Sequence, residues 1–115
     1  MKLNVETLVE NGLMAVAVSH GFGAGWGTWE GMELAVDKRV IEVILDFQKN
    51  RISFEEAQKA IDYFYPHKDI YYGGFGNIEI EWVPLGEMFR INEYDGLESI
   101  VIFRDDIWIT AGENV

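Results

Sequence analysis

Glycine occupies every second position from Gly21 to Gly27, within the sequence HGFGAGWGTW of residues 20–29. Glycine loses more conformational freedom on folding than other residues and has no side chain to pack, so a regular helix or strand is disfavoured there. The spacing predicts a loop or the bulged margin of a strand. Before it lies an apolar run, residues 13–18, that is typical of a buried strand.

Two helices are predicted after this segment. Asp37 is a suitable N-cap for a helix that runs to about Lys49 and carries a wide apolar stripe. Residues 53–56, with the sequence SFEE, form a capping box for a second helix, which Pro66 should end. With a bend at residues 50–51, the pair is interpreted as an αα-hairpin.

The C-terminal half is predicted to be a β-meander. Its strand patterns cover residues 78–82, 88–94, 98–103 and 107–110. Pro84-Leu85-Gly86 supplies the first turn, and Asp95-Gly96 tolerates the positive φ angles of a tight hairpin.

Residues 4–10 have helical spacing and stop at Asn11-Gly12, which predicts a short N-terminal helix. Helices and strands in separate runs predict an α+β fold, with the αα-hairpin and this short helix packed on a mostly antiparallel sheet that ends in the meander. A chain of 115 residues with 49% apolar residues suffices for one core, so residues 1–115 are interpreted as a single domain.

The composition narrows the classes of function. Twenty acidic and nine basic residues give a net charge of −11, which argues against direct binding to nucleic acid, since phosphate contacts need clustered Lys and Arg. The absence of cysteine and the presence of only two histidines predict no metal site and no cofactor. No apolar run approaches the length of a membrane span and the start has no signal-peptide layout, so a cytoplasmic protein is expected.

The glycine-rich segment is the first candidate site, because bare backbone lets a ligand approach amide groups closely and the aromatic rings between the glycines could stack on a flat ligand. The alternative is a structural bend whose aromatic side chains fill the core. The candidate ligand-binding residues are His20, Gly21, Phe22, Gly23, Gly25, Trp26, Thr28 and Trp29. A second stretch, residues 71–76 (YYGGFG), is a candidate for the opposite wall. Neither nucleotide-binding glycine motif is present.

An acidic patch is the second candidate. Nine acidic residues lie between Glu79 and Glu113, opposed only by Arg90 and Arg104. The patch would consist of Glu79, Glu81, Glu93, Asp95 and Glu98, and it could dock on a basic protein surface as a nucleic-acid mimic. The alternative is a solvated sheet face. The adjacent Ser19 and His20 are not expected to form a catalytic pair, since neighbouring side chains usually point apart.

Three segments together resemble small uncharacterised proteins encoded by bacteriophages and prophages of Gram-positive bacteria. They are HGFGAGWGTW at residues 20–29, IEWVPLG at residues 80–86 and FRINEYDGLESI at residues 89–100. The resemblance spans most of residues 12–103. The relatives more often read WSTW where this chain has WGTW, so a hydroxyl group is missing here.

The resemblance implies no known activity, but it implies a non-enzymatic accessory protein in the cytoplasm of a bacterial host. Such a protein would act by binding, in counter-defence or in modifying host function. The partner is expected to be a small nucleotide-like ligand held by the glycine-rich segment, or a basic host protein bound by the acidic patch. A third hypothesis is a structural protein that forms a homo-oligomer.

Overall fold

A computed structural model describes residues 2–104 and 111–112 of the chain. In these residues helices and antiparallel strands form the predicted α+β fold. The strands are β1 Val9–Glu10, β2 Leu13–Ser19, β3 Ile78–Pro84, β4 Phe89–Tyr94 and β5 Leu97–Ile102; the helices are α1 Gly27–Glu30, α2 Met32–Val36, α3 Lys38–Gln48 and α4 Phe54–Phe64. The strand predicted at residues 107–110 lies outside the described residues, and the single domain stays a prediction.

Strand β2 is the centre of the fold, because it is apolar on both faces. It pairs with β1 on one side and with β3 on the other, and its register with β3 runs from Leu13 opposite Pro84 to Ser19 opposite Ile78. One face, with Ala15 and Ala17, packs against α3 and α4, and the other, with Val16 and Val18, packs in a second cluster. A strand buried on both faces requires a layer on each side.

The predicted meander is wrong in its pairing. Strand β3 belongs to the three-stranded sheet with β1 and β2, whereas β4 and β5 form a separate two-stranded hairpin. Phe89, Ile91 and Ile100 of the hairpin pack over the second face of β2. After β3 the chain leaves the first sheet, and the hairpin covers the apolar face of β2 that contains Val16 and Val18. The predicted turn of the hairpin is confirmed, with φ of 49° at Asp95 and 89° at Gly96.

The predicted N-terminal helix over residues 4–10 is also wrong. Asn11 and Gly12 have φ angles of 52° and 77°, and they form the two-residue turn of a hairpin in which Val9 pairs with Met14. Asn-Gly is the preferred sequence for such a turn, and seven residues are too few for a helix to form without strong tertiary support. The end of the segment, Val9–Glu10, therefore forms an edge strand of the sheet.

The αα-hairpin is confirmed. At the start of α4, Ser53 Oγ accepts a hydrogen bond from the Glu56 amide at 3.1 Å and Glu56 Oε1 accepts one from the Ser53 amide at 3.1 Å, which completes the predicted capping box. Helix α4 ends at Phe64, two residues before Pro66. The bend contains Asn50 with a φ of 58°.

Asp37, the predicted cap of α3, is a buried junction as well as a cap. Its carboxylate accepts hydrogen bonds from the Arg39 amide at 2.9 Å, from Arg39 Nη2 at 2.9 Å and from the Tyr65 hydroxyl at 2.6 Å. Burial alone would raise the pKa of Asp37, but the bonds from Arg39 and Tyr65 and the charge of Arg39 lower it. Burial and the neighbouring Asp37 raise the pKa of Tyr65. The carboxylate thus connects the start of α3 with Tyr65, the residue that follows α4.

We expect Asp37→Asn to unfold more easily than the unmodified protein by about 1–3 kcal/mol at pH 7. Because the folded-state pKa lies below the ordinary value of about 3.9, the carboxylate stabilises the fold above that pH, and this contribution is lost as the pH falls through the folded-state pKa. Urea unfolding at pH 7 and pH 3 should show a difference that narrows at low pH. The exposed Asp69→Asn is the control, and a pH-independent difference at position 37 would contradict the role of the charge.

Candidate functional site

The glycine-rich loop folds around the carboxylate of Glu98, which is 1% exposed. Glu98 Oε1 accepts a hydrogen bond from the Ser19 amide at 2.8 Å. Its Oε2 accepts bonds from the amides of Trp26 at 2.9 Å and Thr28 at 3.0 Å, and from the Thr28 hydroxyl. Hydrogen bonds to a charged group are stronger than those between neutral groups. One side chain of β5 therefore holds the end of β2, the loop and the start of α1.

Glu98 was predicted to belong to an exposed acidic patch, and this is wrong. The pattern of β5 contained the signal, because Glu98 has the same parity as Ile100 and Ile102 and so shares their inward face. The opposite residue in the register, Glu93, has the parity of the inward Ile91. The parity therefore predicts that the Glu98 side chain points inward, whereas the exposed Glu93 shows that parity alone does not decide burial near the end of a strand.

Glycines of the loop and its neighbours permit close contact between chain segments. A Cβ atom at Gly96 would lie 2.3 Å from the Ala24 amide nitrogen, and one at Gly74 would lie 2.7 Å from the Ala24 carbonyl oxygen. A Cβ at Gly27 would lie 2.7 Å from that of Ala35. Backbone fills the space at Gly96 and Gly74, and the side chain of Ala35 fills it at Gly27, so a larger residue does not fit at these positions. In contrast, Gly23 has open space around it and a φ of 92°, so only its backbone conformation favours glycine.

Trp26 lies in the core and presents no stacking surface. It is 1% exposed, its indole N–H donates to the Leu34 carbonyl at 3.1 Å, and its ring lies 5.8 Å from that of Phe75 and 6.0 Å from that of Tyr72. The second glycine and aromatic stretch, residues 71–76, does meet the first, but Trp26, Tyr72 and Phe75 form core and not a ligand pocket. The hydroxyl of Tyr72 donates to Asp62 at 2.7 Å, and burial with this contact raises the Tyr72 pKa.

Three other aromatic residues of the same region are exposed. Together with two acidic residues they define what we call the loop-end surface. Phe22, Trp29 and Tyr94 are 67%, 46% and 77% exposed. The acidic members are Glu93 and Asp95. Trp29 Nε1 donates to Glu93 Oε1 at 3.2 Å, and the Gly23 amide donates to the Asp95 carbonyl at 2.5 Å, which brings the loop to the turn of the hairpin.

His20, Glu79 and Glu81 form a separate surface cluster. His20 Nδ1 lies 3.2 Å from Glu79 Oε2, and Nε2 lies 3.5 Å from Glu81 Oε1. A polar depression of about 510 Å³ adjoins His20 and Glu79 and includes Gln48 and Asn77 in its lining. The imidazole therefore lies beside these two members of the predicted acidic patch.

Ser19 and His20 are not oriented as a nucleophile and its base. The Ser19 hydroxyl donates to the Ala24 carbonyl at 2.8 Å, and Ser19 is 0% exposed. The His20 ring faces the glutamates of β3 instead. Gly21 is confined by the side chain of Asn77, whose nitrogen would lie 2.4 Å from an added Cβ. The end of β2 therefore contributes structure to the loop.

Within residues 2–104 and 111–112, no group of three or more acidic or histidine residues is arranged to hold a metal ion. None of the helices in this part of the chain is long and apolar enough to cross a membrane. Comparisons with protein-family models, with curated proteins and with solved structures each gave no significant match.

Close packing at the loop predicts that alanine substitutions at two glycines have different effects on stability. Gly96→Ala should destabilise the fold by about 1–3 kcal/mol or more, because its Cβ would overlap the Ala24 backbone and its φ is positive. Gly76→Ala has open space and a negative φ, so it should be neutral or stabilising by about 0.4–1 kcal/mol. Urea unfolding of both variants checks this, and equal stabilities would show that the loop and hairpin are not in close contact.

Proposed function

We propose that the protein acts by binding, and that the loop-end surface docks on a basic protein partner. The observation that carries this proposal is the exposure of Phe22, Trp29 and Tyr94 where the loop contacts the turn of the hairpin, with Trp29 hydrogen-bonded to the Glu93 carboxylate. Aromatic faces attract guanidinium and ammonium groups, and neighbouring carboxylates add charge attraction. Aromatic residues are also the side chains most enriched at the centres of protein interfaces.

The overall charge supports a basic partner. A net charge of −11 attracts cationic surfaces and speeds their association, with a strong dependence on ionic strength. The five acidic residues of the predicted patch do not form one row, however, since Glu98 is buried and Glu79 and Glu81 pair with His20. The geometry therefore favours a mixed aromatic and acidic surface over an array that imitates phosphates.

The nucleotide-like ligand receives less support. Trp26 would have to leave the core to stack on it, and the Ser19, Trp26 and Thr28 amides already bind Glu98. The polar depression next to His20 carries Glu79 in its lining, and a carboxylate repels phosphate groups. A phage or prophage accessory role, with counter-defence as its purpose, remains part of the proposal on the resemblance alone, as does the cytoplasm of the host.

Titration with an oligo-arginine peptide, followed by calorimetry at low and at physiological salt, tests the proposal. Phe22→Ala and Tyr94→Ala should each weaken binding roughly 3- to 10-fold, because each removes an exposed cation–π partner. The double variant Glu93→Gln with Asp95→Asn should also weaken binding. Gln keeps an oxygen for the bonds from Gly96 and Trp29, and Asn tolerates the positive φ of the turn.

The matched control is Glu42→Gln with Glu55→Gln, which removes the same charge from exposed positions of α3 and α4. This control should bind nearly as well as the unmodified protein. Equal losses in the two double variants, with no effect of the aromatic substitutions, would mean that the peptide responds only to net charge and would contradict the proposal.

A further inference from the structure

The loop-end surface is built from two parts of the chain that are distant in sequence. Phe22 and Trp29 come from the loop and α1, whereas Tyr94 and Asp95 come from the hairpin. Glu98 joins these parts through hydrogen bonds that span 70 to 79 residues in sequence. A surface of this kind keeps one shape only while the two parts stay in register.

We propose that Glu98 is the positioning residue of this surface, and that it acts as a built-in carboxylate ligand of the Ser19, Trp26 and Thr28 backbone amides. The consequence for binding rests on the proposed function, but the ligand role can be measured without it. Glu98 itself is buried and does not contact the partner.

The contacts select a carboxylate rather than any side chain of that size. The hydrogen bonds that the described residues donate to the two oxygens of Glu98 come from three backbone amides and one hydroxyl, so both oxygens act as acceptors. A Gln side chain would turn its NH2 group either toward the Ser19 amide or toward the donors of Trp26 and Thr28. Either orientation opposes donor to donor in a buried place and leaves amides unpaired, which is costly.

The neighbouring acidic residue supports this assignment. Glu93 lies directly opposite Glu98 in the register of β4 and β5, where like charges repel. Each carboxylate is instead supplied with N–H donors: Glu93 Oε1 accepts from the Gly96 amide at 2.6 Å and from the Trp29 indole at 3.2 Å. Among the described residues, no buried polar side-chain atom lacks a partner. Both carboxylates thus accept hydrogen bonds that fix the loop and the start of α1 against the hairpin.

Rescue by formate tests the ligand role. Glu98→Ala removes the carboxylate and leaves space for a small one, whereas Glu98→Gln fills the space with a group of the wrong polarity. We expect both variants to lose the NMR amide signals of residues 19, 26 and 28 at their native positions. Added sodium formate should restore these signals in Glu98→Ala and not in Glu98→Gln, with sodium chloride at equal ionic strength as the salt control.

The effect on folding follows from mass action. At a formate concentration ten times its dissociation constant, the ratio of folded to unfolded Glu98→Ala should rise about elevenfold. If this variant is largely unfolded without formate, the folded fraction measured against formate concentration gives the same test. The control Glu87→Ala removes an exposed carboxylate from the turn before β4 and should show no response to formate.

Binding of the oligo-arginine peptide tests whether Glu98 also positions the loop-end surface. Glu98→Ala should bind at least tenfold more weakly than the unmodified protein, and formate should recover most of this loss. Native loop signals in Glu98→Ala without formate, or a formate response no larger than that of Glu87→Ala, would overturn the assignment. If the unmodified protein does not bind the peptide, the proposed function is wrong, while the formate response of the loop signals still decides the role of Glu98.

Discussion

The contact between the Glu98 carboxylate and the amides of Ser19, Trp26 and Thr28 is the constraint on which the candidate site depends. A carboxylate is costly to bury, and the cost is offset here by donors from three places in the chain. Of these donors, Ser19 ends β2, Trp26 belongs to the glycine-rich loop and Thr28 lies in α1. These donors stabilise the buried carboxylate, and the carboxylate holds the loop in place. The contact therefore connects the hairpin to the central sheet.

The layered fold explains why this contact exists. Strand β2 is apolar on both faces, so α3 and α4 cover one face while the hairpin of β4 and β5 covers the other. The loop leaves β2 at the point where the turn of the hairpin meets it. Glycine at Gly96 and Gly74 allows the backbone of Ala24 to lie between these segments. The same arrangement takes Trp26 into the core and leaves Phe22 and Trp29 outside.

That division of the aromatic residues carries the functional argument. Rings that fill the core are unavailable to a ligand, and rings that remain exposed next to carboxylates form a surface suited to cationic groups. Glu79 and Glu81 lie beside His20 at a separate place, so the acidic residues are not gathered in one row. The proposed basic protein partner would account for both the exposed aromatic residues and the negative charge.

The sequence by itself determined the local elements whose signals lie within a few residues: the cap at Asp37, the capping box at Ser53, the strand β2 and the Asp95-Gly96 turn. Turn and cap interactions form between residues close in sequence, so these elements can be predicted from the sequence alone. The tertiary structure alone decided that Val9–Glu10 form a strand of the sheet, that β3 pairs with β2, and that Glu98 is enclosed by amides some 70 residues away. These outcomes depend on which surfaces must be covered and on which donors a buried charge finds, and both are settled only when distant segments meet.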